Sequence, residues 1–308
     1  MEKNKYMKIL CLDGGGAKGV YTLGVLSELE KEFGCRIYEK FDLIYGTSTG
    51  SIIAALLGVG LSVEEVKKHY FDLIPKIMSC SSASKKSAAL EKFGTEIFGV
   101  TGFDSFKTNI GIVAMNYETQ KPLIFKTDLG MAHGVKNSFQ PGFGLKIKDA
   151  LIASCSAAPV FNEKILETEN KGKLIAIDGG FIANNPTLFA IVDAIKAFRL
   201  EIENIKILSI GVGNYIEKPL HRFHGVISLF KIFKLVSRIL NASSNTTEVL
   251  TNLLFPNLKL VRINETYNEP EYGTNMVERD VEKLKKMYQL GINSYAKFEK
   301  EILNLDLR

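Results

Sequence analysis

The chain has 308 residues, 46% apolar and 24% charged, a balance that supports a substantial globular core and excludes a disordered or low-complexity chain. Its formal net charge of +5 permits an anionic partner but falls short of a basic nucleic-acid binder, so no nucleic-acid polymer is expected. No run approaches the roughly 18 consecutive apolar residues of a membrane-spanning helix, and the polar Met1–Met7 segment does not read as a signal peptide.

Lys8–Leu12 reads as a first strand that enters Asp13-Gly14-Gly15-Gly16-Ala17-Lys18-Gly19. A helix follows, with Val20, Leu23, Val25, Leu26 and Leu29 on one side. A second strand, Phe41–Tyr45, runs into Gly46-Thr47-Ser48-Thr49-Gly50 and then a helix over Ser51–Val59. Ser62, with Glu65 three positions on, forms a capping box that opens a helix through Phe71. The serine- and lysine-rich Ser79–Lys86 reads as a mobile surface loop. Strands at Ile110–Asn116 and Pro122–Lys126 flank a turn at Tyr117–Lys121, and Lys148–Ser156 reads as a helix. Leu174–Ile177 is a short buried strand ending at Asp178, and Ile205–Val212 is a further strand ended by Gly213-Asn214. Val226–Leu240 is an apolar helical run with a narrow basic stripe, and Val277–Leu303 an amphipathic packing helix.

Strands alternating with helices predict an α/β fold, a three-layer arrangement with a largely parallel central sheet and helices on both faces. With no internal repeat and no linker, residues 1–308 read as one domain, its motifs in 8–213 and a more variable part in 214–308. In such sheets reactive groups gather at the carboxyl ends of the strands. Asp13-Gly14, Gly46 to Ser48 and Asp178-Gly179 all stand at that position.

Gly46-Thr47-Ser48-Thr49-Gly50 has the build of a nucleophile elbow: a strand, a sharp turn and a helix, with one serine at the apex. The consecutive Gly14, Gly15 and Gly16 suit an oxyanion hole, because their amides can converge on one oxygen without side chains in the way. Gly14-x-Gly16-x-x-Gly19 also matches the dinucleotide fingerprint. That reading lacks the acidic residue at the far end of the second strand and would set Asp13 against a pyrophosphate. None of His69, His133, His221 and His224 follows a strand in a glycine-rich turn, so a histidine base is disfavoured. Asp178, with Gly179 and Gly180 behind it, is the better base for Ser48, provided a dry pocket raises its pKa. Cys11, Cys35, Cys80 and Cys155 show no paired spacing and read as free thiols of a reducing compartment.

Taken together, Asp13 to Gly19, Gly46 to Gly50 and Asp178-Gly179-Gly180 resemble, in order and spacing, the three motifs of patatin-like phospholipases. Ala153 to Pro159 and Asn184-Asn185-Pro186 resemble two further blocks of that family, and the resemblance covers roughly Lys8 to Gly213. It implies a Ser48–Asp178 dyad, an oxyanion hole at Gly14, Gly15 and Gly16, and lipid acyl hydrolysis without metal or other cofactor. Lys18 stands where the family often has arginine, and Gly19, Gly46, Gly50, Gly179 and Gly180 support the motifs. The wording around the motifs is similar to a bacterial subset that acts in antiphage defence, where a cyclic dinucleotide switches on degradation of membrane phospholipids. The partners implied are a phospholipid surface and a cyclic-dinucleotide activator, with a homo-oligomer allowed. The location implied is cytoplasmic, peripheral at the inner membrane when active. The helix at Val226–Leu240 suits a bilayer surface or a lid, or else a core helix whose lysines snorkel to solvent.

Overall fold

A computed structural model of the chain describes residues 6–133, 139–168, 172–216 and 229–307, with side chains described from residue 234 onward in the last segment. The buried run Met7–Leu12 forms β1, and the glycine-rich turn leads into α1 (Gly19–Phe33), closed by Gly34 in the left-handed region. A short α2 (Ile37–Lys40) precedes β2 (Leu43–Thr47), which starts and ends two residues later than expected and passes through Ser48 directly into α3 (Thr49–Gly58). The capping box forms as read, with Ser62 Oγ accepting from the Glu65 amide and the Glu65 carboxylate accepting from the Ser62 amide. It opens α4 (Val63–Met78), longer than expected because Leu73, Ile74, Ile77 and Met78 continue the buried stripe.

Of the expected loop Ser79–Lys86, residues 79–82 connect α4 to the next helix and residues 83–86 are helical. Ser82 caps α5 (Ala83–Phe98), its hydroxyl accepting from the Lys85 amide, and Leu90, Phe93 and Phe98 pack inward from that helix. The hairpin forms as β3 (Asn109–Asn116) and β4 (Pro122–Lys126), followed by α6 (Ile147–Ser154), β5 (Lys164–Thr168) and β6 (Gly172–Asp178). The chain continues through α7 (Gly180–Ala183), α8 (Thr187–Val192), β7 (Ile205–Ile210) and β8 (Asn214–Tyr215). Beyond that come α9 (Leu229–Leu254), β9 (Lys259–Ile263), β10 (Thr266–Tyr267) and α10 (Val281–Leu305). Residues 226–228 of the apolar run lie outside the described residues, and the rest is the first half of α9.

The main sheet has the order β5-β6-β3-β2-β1-β7-β9, with β4 also on β3. The five strands from β3 to β9 are parallel, as expected, while β4 and β6 pair antiparallel with β3. Residues 109–113 of β3 pair with β2 and residues 114–116 with β6, while β4 covers residues 111–115 on the opposite edge. The third motif strand therefore arrives from the far side, and β2 and β6 meet with their carboxyl ends facing along one edge of β3. Alternation along β1 sends Leu10 and Leu12 into the core under α1, α3, α4 and α10, and Ile9 and Cys11 into the core under α7 and α8. Helices thus cover both faces. At the crossing of α1 and α10, a Cβ on Gly24 would lie 2.1 Å from the Tyr288 carbonyl oxygen, so the two backbones touch.

Candidate active site

Ser48 sits at φ +52, ψ −122 between β2 and α3, a region that typically costs a non-glycine residue about 1–3 kcal/mol. The surroundings hold it there. Its amide donates to Ser154 Oγ at 2.9 Å, and Ser154 in turn donates to the Val113 carbonyl at 2.6 Å. Its carbonyl accepts from the Ser51 amide at 2.9 Å and the Ser51 hydroxyl at 2.6 Å. The flanking glycines permit the tight turn: a Cβ on Gly46 would lie 2.4 Å from the Gly50 carbonyl oxygen, and one on Gly50 2.3 Å from that of Leu12.

With its backbone committed, Ser48 turns its hydroxyl to Asp178 and donates to Oδ2 at 2.6 Å. The other carboxylate oxygen accepts from the Gly180 amide at 2.7 Å. The Asp178 and Gly179 amides donate to the carbonyls of Ser156 and Ser154, and Gly179 lies so close to the Val113 carbonyl that no Cβ fits. Burial pushes the Asp178 carboxyl up to about 6, against the downward pull of the Ser48 and Gly180 hydrogen bonds. The adjacent Cys155 is buried and its thiol is pushed far above neutrality, so it is an inert neighbour.

The glycine loop comes from β1. Asn184 holds Gly14 at both ends: the Gly14 amide donates to the Asn184 carbonyl at 3.0 Å, and Asn184 Nδ2 donates to the Gly14 carbonyl at 3.2 Å. Gly14 therefore has no amide left to give. The Gly16 carbonyl is turned away from the serine, accepting from Thr49 Oγ1 at 2.9 Å and Tyr70 OH at 2.5 Å. Among the described residues the Gly15 and Gly16 amides have no hydrogen-bond partner. Gly16 lies at φ +58 against the Met276 carbonyl, which binds the Ala17 amide. Lys18 is buried and donates to the Gly213 carbonyl at 3.1 Å, fixing a neighbouring turn, and Gly19 packs under the Tyr70 hydroxyl.

Ser48, Asp178, Gly15 and Gly16 face one cavity. Its walls are apolar: Ile52 of α3, Leu73 and Ile77 of α4, Leu90 of α5, Leu240 of α9 and Met276. A buried acid–alcohol pair beneath unpartnered amides, opening on a greasy cavity, has the parts for acyl transfer to serine. The sequence profile described as "Patatin-like phospholipase" matches residues 10–191. The chain belongs to this family.

This patatin-like chain is 40% identical over 295 residues to a cUMP-AMP-activated phospholipase of Escherichia coli, covering 96% of this chain and 92% of the relative. It is 32% identical over 216 residues to a cGAMP-activated phospholipase of Pseudomonas aeruginosa, covering 66% of this chain and 61% of that protein. The crystal structure of VipD from Legionella pneumophila is similar in fold, with a TM-score of 0.51 at 12% identity over 95% of this chain and 66% of VipD.

The patatin motifs hide one group with a different role. Asp13 stands after a strand end but turns away from Ser48, buried in a two-point ion pair with Arg262 of β9 at 2.6 and 2.7 Å. Ser244 of α9 donates to Asp13 at 3.1 Å and accepts from Asn184 Nδ2 at 2.9 Å, which links this pair to the glycine loop. Sequence reasoning missed Ser154, Thr49, Tyr70, Ser244 and Arg262 as site-building residues. Ser154, in the Ala153–Pro159 block, carried a readable signal, whereas Ser244 and Arg262 carried none. Among the described histidines, His69 meets Phe93 edge-on and His133 contacts Asp193, so neither serves Ser48. His221 and His224 lie outside the described residues.

Proposed function

We propose that this patatin-like phospholipase cleaves fatty-acyl esters of membrane phospholipids with Ser48 as nucleophile and Asp178 as base, within one catalytic domain. The carrying observation is the 2.6 Å Ser48–Asp178 hydrogen bond at the floor of an apolar cavity. Ser48 Oγ attacks the ester carbonyl as its proton passes to Asp178, and the Gly15 and Gly16 amides hold the oxyanion. The leaving alcohol departs with that proton. Water, deprotonated by Asp178, then releases the fatty acid from the acyl-serine. Gly14 shapes the loop through Asn184 and is not a donor in this scheme.

The enzyme works as an antiphage effector under control of a cyclic dinucleotide, peripheral at the inner membrane when active. Support comes from the 40% identity, over nearly the whole of both chains, to a cUMP-AMP-activated relative. Among the described residues no helix is long and apolar enough to cross a membrane, in keeping with peripheral attachment. The test is fatty-acid release from phosphatidylethanolamine–phosphatidylglycerol vesicles by wild type, Ser48→Ala and Asp178→Asn, with and without cUMP-AMP or cGAMP. Release by wild type alone, and only with a cyclic dinucleotide, is expected. Full release without one overturns the control, and release by Ser48→Ala overturns the dyad.

A further inference from the structure

The two faces of α9 have opposite character. Its inward face carries Leu240, Ser244 and Thr251, all buried, with Leu240 in the cavity wall and Ser244 bonded to Asn184 and Asp13. Its outward face carries Leu235, Ile239, Val249, Leu250 and Leu253, between 42% and 73% exposed. These positions share one side of the helix in two apolar groups, Leu235 with Ile239 and Val249 with Leu250 and Leu253, separated by the exposed Ala242, Asn245 and Thr246. The α7 and α8 helices pack against α9. Exposed aliphatic groups gathered on one helix side mark a surface that meets a membrane or another protein.

We propose that the outward face of α9 is the surface by which the enzyme seats on a phospholipid bilayer. The inference rests on the phospholipid reading above, and three observations select lipid as the occupant. First, the same helix forms the cavity wall and the stripe, so whatever covers the stripe lies one helix diameter, about 10 Å, from the acyl cavity. A bilayer there brings the water-insoluble substrate to the cavity. Second, the sole acidic residue of α9, Glu248, turns toward Arg262 at 3.7 Å, so the stripe carries no carboxylate to repel anionic headgroups. Third, the exposed Arg238 flanks Leu235 and Ile239, where a cation meets headgroups while the aliphatic side chains enter the acyl boundary.

The test pairs two variants, Leu235→Ser/Ile239→Ser and Val249→Ser/Leu253→Ser, none of whose positions line the cavity. Co-sedimentation with phosphatidylethanolamine–phosphatidylglycerol vesicles is measured with and without cUMP-AMP, beside hydrolysis of a soluble p-nitrophenyl butyrate ester. Wild type is expected to bind the vesicles, and each pair to bind about tenfold or more weakly while retaining ester hydrolysis. Wild type that leaves vesicles unbound in both conditions overturns the proposal, as do variants that hydrolyse the ester and bind vesicles normally. Variants that lose self-association in light scattering yet keep vesicle binding assign the stripe to a second copy of the chain instead. Vesicle binding that responds to the variants, with no ester hydrolysis by wild type, leaves the docking surface standing and removes the hydrolase reading.

Discussion

Thr47 and Asp178 occupy neighbouring rungs on one edge of β3, opposite Val113 and Ala114. Ser48 follows Thr47 directly, so the ladder itself brings two side chains 130 residues apart within 2.6 Å. Ser154 reinforces the junction by bonding both the Ser48 amide and the Val113 carbonyl. Such a pair is rigid before substrate arrives, as a preorganised site requires.

In the proposed mechanism the pKa of Asp178 sets the acid limit of activity. The base in that scheme is the carboxylate, and it is protonated below about 6. The expected kcat/KM for a soluble ester rises with pH through a midpoint near 6 and falls about tenfold per unit below it. A pH–rate profile checks this. A midpoint near 4 removes burial as the tuning force.

The same shift has a cost in stability. The folded-state pKa lies above the ordinary value of 3.8, so the folded protein holds this proton more tightly than the unfolded chain does. Its contribution is complete below about pH 4 and is lost as pH rises to about 6, a change on the order of 3 kcal/mol. Asp178→Asn lacks that component. It is expected to lower kcat by roughly two to four orders of magnitude, yet to gain stability over wild type between pH 4 and pH 7.5. Urea denaturation at the two pH values measures the gain.

Asn184 is the clamp on the glycine loop. Asn184→Ala removes the Nδ2 bond to the Gly14 carbonyl, keeps the main-chain bond from the Gly14 amide, and is expected to loosen the aim of the Gly15 and Gly16 amides. A fall in kcat of roughly tenfold to hundredfold is expected, with KM nearly constant. Ser244→Ala, which removes one support of Asn184, is expected to do less. Steady-state kinetics with circular dichroism distinguishes this from general unfolding, which lowers both parameters together.

Arg262→Ala strands the buried Asp13 carboxylate. A loss of about 3–5 kcal/mol is expected, read from urea denaturation. Asp13→Asn in the same chain is expected to recover part of it, because the stranded charge goes with it.

Much of the site is legible in the sequence because glycine, serine and aspartate at strand ends carry local signals. The elbow and the capping box need no distant partner. Other parts leave no such trace. The first turn of α5 falls in Ser79–Lys86, which resembles a loop because serine and lysine crowd it, and the helical character becomes plain at Leu90, Phe93 and Phe98, which fill the core. The antiparallel entry of β6 depends on pairing with residues 114–116, which periodicity does not encode. Arg262 and Asp13 lie 249 residues apart, and neither position hints at the other. The exposed stripe of α9 also extends past the apolar run at Val226–Leu240, because Val249 and Leu253 continue its face beyond a polar stretch.

The head-on meeting of β2 and β6 separates two kinds of change that a lipase accumulates. Bond-breaking parts are fastened to main-chain ladders, whereas the acyl channel is panelled by interchangeable aliphatic groups on α3, α4, α5 and α9. Descendants of this fold are therefore free to drift in chain-length preference, one panel at a time, while inheriting an unaltered reaction.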